Sequence, residues 1–213
     1  MDRGASPVPK PSFALKRSTD GVPPCKATTT VVVGPMYARK TSYVAGWVAE
    51  QHAGRREVYV YKPSLDTRDG GTVRTHDGKH EFPAMPVDNF LVMNLSVPWS
   101  RLAIVVEEAQ FFAPGVLKQL VTHQRMLETS FLIVGLPNDR HMQPFGTWLA
   151  EVLSMSPTHV VMKRGTCERC PNDAEFTAAH SDVIDPSKKI VPGSDGYFPL
   201  CRACMLEHMR DSL

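Results

Sequence analysis

Three groups of residues in this 213-residue chain have the types and spacing that chemistry requires. The first is Gly34-Pro35-Met36-Tyr37-Ala38-Arg39-Lys40-Thr41, which follows the β-branched run Thr28–Val33 and leads into a helical pattern. A phosphate loop needs backbone N–H groups aimed inward, a lysine that reaches the β- and γ-phosphates and a hydroxyl for Mg²⁺. A helix N-terminus beginning near Thr41 adds a favourable dipole. Gly34, Lys40 and Thr41 stand at that spacing, but Arg39 occupies the place of the second glycine. An ordinary strand-to-helix turn therefore fits the bare pattern as well. The second group is Glu107-Glu108, at the end of the apolar run Leu102–Val106 and before Ala109-Gln110-Phe111-Phe112. Carboxylates at a strand end can hold Mg²⁺ through water and take a proton from a substrate hydroxyl. On an extended chain two adjacent carboxylates point to opposite sides, which suits separate metal and base roles. Acids that cap the following helix are the competing reading. The third group is Cys167-x-x-Cys170 and Cys201-x-x-Cys204, 30 residues apart. Two such turns complete a tetrahedral Zn²⁺ shell with no open position, so a metal there would be structural; free thiols are the alternative.

The elements that must position these groups can be read from the apolar runs. Strands are expected at Thr28–Val33, Glu57–Tyr61, Leu102–Val106, Ser130–Val134 and His159–Met162. Helices are expected from Thr41 to about His52, where Gly54 ends it, and from about Pro114 to Leu127. The strand runs are apolar throughout rather than alternating, as strands covered on both faces require. Interleaved with helices they imply an α/β layer structure around a parallel sheet. Right-handed crossovers then gather the C-terminal strand ends on one edge, where ligands bind. Residues 1–27 hold five of the first-segment prolines and little apolar content, and read as a disordered extension in which Cys25 is a bystander. Residues 28–163 would form the main domain and 164–213 a small lobe around the cysteines.

Composition narrows the function classes. There are 24 Lys and Arg against 22 Asp and Glu, a net charge of +2, with 42% hydrophobic residues. That balance leaves no electrostatic footprint for a dedicated nucleic-acid or anionic-membrane binder. No apolar run approaches the roughly 18 residues needed to span a bilayer. The first 26 residues have neither the apolar core of a secretory signal nor the acid-free composition of a mitochondrial presequence. Paired C-x-x-C turns without a secretory signal suit metal ligation in a reducing compartment.

Taken together, the motifs resemble the thymidine kinase family of the phosphate-loop, zinc-lobe type over roughly residues 28–208. The most specific stretch is Gly193-Ser194-Asp195-Gly196-Tyr197-Phe198-Pro199-Leu200-Cys201-Arg202-Ala203-Cys204, similar to the family's substrate-covering "lasso" loop and its C-R-x-C. Gly34-Pro35-Met36-Tyr37, Lys62 with Asp66-Thr67-Arg68, Thr75-His76-Asp77, Glu108-x-Gln110-Phe111-Phe112, Pro144-Phe145-Gly146 and Cys167-x-x-Cys170 match in the same order. The resemblance implies a phosphate-loop sheet flanked by helices plus a small zinc-binding C-terminal lobe. It also implies transfer of the ATP γ-phosphate to the 5′-hydroxyl of thymidine in a cytoplasmic homo-oligomer, a tetramer in this family. Carried over residue by residue, Glu108 is the general base. The loop Gly34 to Thr41, Asp66, Arg68, Glu107 and Gln110 would serve ATP and its Mg²⁺. Met36, Arg140, Tyr197 and lasso positions Ile190, Val191 and Gly193 would serve thymidine, Arg140 by stacking its guanidinium on the base. Four departures stand out: Arg39 for a glycine, Glu107 for an aspartate, Arg140 where a base-stacking aromatic is expected, and Pro192 for the first lasso glycine. Arg39, Glu107 and Arg140 together motivate a competing expectation, a catalytically degenerate relative kept for assembly or regulation. A zinc-ribbon nucleic-acid binder would need clustered basic and aromatic residues that 165–204 lacks.

Overall fold

In the computed structural model the described residues are 27–67, 70–75, 78–90, 101–120, 128–180 and 196–211. The elements run β1 (Thr29–Val33), α1 (Lys40–Ala53), β2 (Glu57–Pro63), β3 (Thr72–Arg74), β4 (Glu81–Pro83), β5 (Met85–Val87), β6 (Leu102–Val106), β7 (Ser130–Gly135), α2 (Trp148–Leu153), β8 (His159–Met162), β9 (Gly165–Thr166), β10 (Asp173–Ala174), β11 (Phe176–Ala179), β12 (Tyr197–Leu200) and α3 (Arg202–Asp211). Residues 116–120 are also helical, within the stretch expected to be a helix, and residues 121–127 lie outside the described ones. So do the N-terminal extension with Cys25, Arg68, His76, Asp77 and the lasso positions Ile190 to Gly193.

Six strands form one parallel sheet in the order β5-β2-β6-β7-β1-β8. The expected α/β architecture is therefore present. Every residue of β1, β6 and β7 is buried, because each of these strands has a neighbour on both sides and a packed layer on both faces. One face receives Trp148 and Val152 of α2 with Val116, Leu117 and Leu120. The other receives Val44, Trp47 and Val48 of α1. Among the described residues no helix is long and apolar enough to cross a membrane.

The second strand differs from expectation, continuing through Lys62-Pro63 instead of stopping at Tyr61. Its last partners on β6 are Tyr61 and Val106, so Lys62 and Pro63 run past the end of β6 and pair only with the edge strand β5. Beyond that point a proline removes no ladder donor on the β6 side. Three-residue β5, with Pro86 at its centre, is too short and irregular to have been read from periodicity.

Candidate active site and cysteine centre

The C-terminal ends of β1, β2 and β6 share one edge of the sheet, with β7 alone between β1 and β6. At a strand spacing of about 4.8 Å, the β1 and β6 ends are roughly 10 Å apart. The loop after β1 turns tightly. Gly34 is buried, and a Cβ there would run into the backbone carbonyl of Lys163, which follows β8. Backbone cannot yield as a flexible side chain can. Gly34→Ala is therefore expected to destabilise the protein by about 2 kcal/mol and lower Tm by roughly 4–8 °C, measured by thermal melting. An unchanged Tm would show that the loop can back away from β8.

Tyr37 and Arg39 have φ values of 61° and 55°. This left-handed region costs a non-glycine residue about 1 kcal/mol, which explains why glycine is expected at position 39. The Arg39 side chain is exposed, so its bulk lies outside the loop. Lys40 opens α1 and folds back: its Nζ donates to the carbonyls of Gly34 at 3.0 Å and Pro35 at 2.7 Å. The cation thus sits inside the loop, held by oxygens that a phosphate can replace. Thr41, half-buried, is the next helical residue.

Glu107 directly follows β6, is buried, and its N–H donates to the Tyr61 carbonyl at 2.8 Å. Glu108 is half-buried and has φ 51°, so the chain is no longer extended there. The expected opposition of the two carboxylates as neighbours on a strand is thereby altered. Their environments still differ, one inside the protein and one at its surface. Gln110, in the short 3₁₀ turn Ala109–Phe111, donates from Nε2 to Glu108 Oε2 and accepts the Leu136 N–H on Oε1 at 2.9 Å. Asp66 is buried in the turn after β2, where its N–H bonds the Pro63 carbonyl at 2.9 Å.

Lys62 was part of the sequence resemblance but was assigned no role. It is 1% exposed, and Nζ donates to the Thr72 carbonyl at 3.2 Å. Lys62 on β2 and Glu107 after β6 each come one residue past the last β2–β6 register pair, and both are buried. A charged residue closing an apolar strand was the available signal.

Met36 and Tyr197 belong to one hydrophobic cluster. Tyr197 is buried with Leu136, Phe145 and Ala179, and Met36 and Phe111 pack against them. Phe111 and Phe145 meet edge to face at 5.5 Å between ring centroids. Neither ring was singled out from the sequence, although both lie in quoted motifs. Arg140 is buried in the turn before Phe145, with its Nε bonded to His141 Nε2 at 3.1 Å. Asp139 shapes that turn by accepting the N–H groups of His141 at 2.9 Å and Gln143 at 3.0 Å. A further bond, from Met36 N–H to Thr177 Oγ1 at 3.0 Å, ties the loop after β1 to β11.

Cys167, Cys170, Cys201 and Cys204 place their sulfurs within 4.8 Å of one another. Cys170 Sγ lies 3.6 Å from Cys201 Sγ and 3.7 Å from Cys204 Sγ. Four sulfurs about 2.3 Å from a tetrahedral centre would be roughly 3.8 Å apart, so the donor set fits zinc in both chemistry and spacing. The thiols respond unequally to crowding. Neighbouring Cys201 and burial push Cys204 up to about 12. At Cys167 burial acts upward, but backbone N–H groups of Cys201 and Arg169 outweigh it and leave the group at about 6. A divalent cation relieves the mutual repulsion that otherwise keeps such thiols protonated.

The family model described as "Thymidine kinase" matches residues 27–205. The chain is 30% identical over 176 residues to a thymidine kinase of Pseudothermotoga lettingae, covering 82% of this chain and 92% of that protein. It is 28% identical to one from Bacteroides thetaiotaomicron, over 83% of this chain and 85% of the relative. With the thymidine kinase of Choristoneura biennis entomopoxvirus it shares 25% identity, over 84% and 96% of the two chains.

Proposed function

Because this chain belongs to the thymidine kinase family of ATP-dependent phosphotransferases, we propose that it transfers the ATP γ-phosphate to the 5′-hydroxyl of thymidine, with Glu108 as general base. The observation that carries this reading is the shared sheet edge: the Lys40 loop ends β1, and Glu107-Glu108 end β6, one strand away. Lys40 Nζ leaves the Gly34 and Pro35 carbonyls for the β- and γ-phosphates, and the loop backbone from Met36 to Arg39 faces them. The half-buried Glu108 carboxylate takes the proton of the 5′-hydroxyl while the new O–P bond forms and the bond to the β-phosphate oxygen breaks, leaving dTMP and ADP. Mg²⁺, arriving with ATP, neutralises phosphate charge; the Thr41 hydroxyl and the Glu107 carboxylate are hard oxygen donors suited to hold it. Asp66 and Arg68 serve the nucleotide, Arg68 by stabilising phosphoryl charge. Met36 and Tyr197, walled by Phe111 and Phe145, hold the thymine ring, and lasso groups at Ile190, Val191 and Gly193 read its edge.

Zinc on the four cysteines is structural in this reading. The protein works in the cytoplasm as a homotetramer, an assignment that follows the family and that light scattering on the purified chain tests directly. The activity is tested by ADP release coupled to thymidine and Mg-ATP, with dTMP identified by mass. Thymidine-dependent turnover is expected; none above background in a folded sample at high concentration would overturn the assignment.

A further inference from the structure

A general base is effective only when its oxygen is aimed. Glu108 is half-buried, past the end of its strand and at a positive φ, so nothing in its own backbone element locks the side chain. Free rotation would place the carboxylate out of line with the acceptor for much of the time, and a displacement of about 1 Å can cost on the order of 10² in rate.

Gln110 supplies one constraint from outside that element. It is 6% exposed, and both ends of its amide are bonded. Oε1 accepts the backbone N–H of Leu136 at 2.9 Å, and Nε2 donates to Glu108 Oε2. The first bond determines the second: a backbone N–H only donates, so the amide oxygen must face Leu136 and the NH₂ must face the carboxylate. Leu136 is itself held, because its carbonyl accepts the Trp148 indole N–H at 3.0 Å. The wedge fits because residue 135 is glycine. A Cβ there would lie 2.8 Å from both Gln110 Oε1 and the Trp148 ring. An unbroken series of hydrogen bonds thus runs from α2 through the end of β7 to the carboxylate, and every member except Glu108 is buried.

We propose that Gln110 is a positioning residue: by holding Oε2 of Glu108 it sets the angle at which the carboxylate meets the acceptor hydroxyl. The proposal rests on Glu108 being the base, and it replaces the direct ATP contact expected of Gln110 from the resemblance.

Two variants test it. Gln110→Leu removes the whole bridge. Gln110→Glu keeps an oxygen for the Leu136 N–H, and so preserves the structural bond, but puts a second carboxylate against Glu108. Both are expected to lower kcat by on the order of 10–10² while KM for ATP stays within about twofold. The Gln110→Glu deficit should shrink toward acid pH, where a proton shared by the carboxylate pair restores a donor. In a Glu108→Gln background either change should cost less than about threefold, because there is no base left to aim. Losses that multiply in that background, or a raised ATP KM with kcat preserved, would overturn the proposal and return Gln110 to the nucleotide. Wild-type turnover is the control: its absence removes the kinase reading and the proposal together, whereas full wild-type turnover with multiplicative losses removes the proposal alone. Should Gln110→Leu fail to fold, Gln110→Glu carries the test.

Discussion

Glu108→Gln is expected to lower kcat with thymidine by about 10²–10⁴, the usual contribution of a positioned general base. The amide matches the carboxylate in size but has no useful proton affinity, so the 5′-hydroxyl must lose its proton to water. The fold should be unaffected. Glu108 is only half-buried, and an amide oxygen at position 108 can still accept from Gln110 Nε2, so the bridge to Leu136 persists. Thermal melting and KM for ATP should therefore stay near the wild-type values while kcat collapses. Glu107→Gln is the informative contrast. That side chain is buried, so its change should weaken Mg-ATP use and stability together. Near-wild-type turnover in Glu108→Gln would mean the other carboxylate is the base.

Cys201→Ser is expected to abolish zinc binding and unfold the C-terminal lobe. The core there is small: Ala174, Phe176, Ala178, Phe198, Leu200 and Met205 pack with the four cysteines themselves. Strands β9 and β10 have two residues each, far too little ladder to persist unaided. Zinc on four thiolates contributes on the order of 10 kcal/mol, comparable with the total stability of a domain. Serine offers a poor ligand, and the three remaining thiols would stay crowded. The damage should reach the loop after β1, because Thr177 holds the Met36 N–H and Tyr197 belongs to the hydrophobic cluster that Met36 packs against. Metal analysis should give one zinc per wild-type chain and far less in the variant, with an early melting transition and lost turnover. A variant that melts like the wild type, or a wild type that binds no zinc, would refute this role.

Much of this was accessible from residue order because the relevant signals are local. The apolar runs Leu102–Val106 and Phe131–Val134 announce themselves as interior strands, since a strand covered on both faces has little place for polar side chains. Each C-x-x-C turn brings its own two sulfurs together whatever the rest of the chain does. The loop from Gly34 to Thr41 likewise depends on a single strand-to-helix junction. Even the penalty at Arg39 is local, a positive φ that a glycine would meet without strain.

Pairings between distant segments were not accessible. Gln110 and Leu136 are 26 residues apart, Met36 and Thr177 are 141 apart, and no periodicity links either pair. The extension of β2 past β6 and the burial of Lys62 depend on register against neighbours that hydropathy does not name. Phe111, Phe145 and Tyr197 form one wall only because β6, β7 and β12 deliver them to the same place. Residue order carried the candidate reactive groups and the strands and turns around them, since short-range sterics and hydrophobic period act within a few residues. The bond from Gln110 to Glu108 and the cluster of Phe111, Phe145 and Tyr197 were decided by chain packing, since those contacts exist only once the sheet has closed the loops between them.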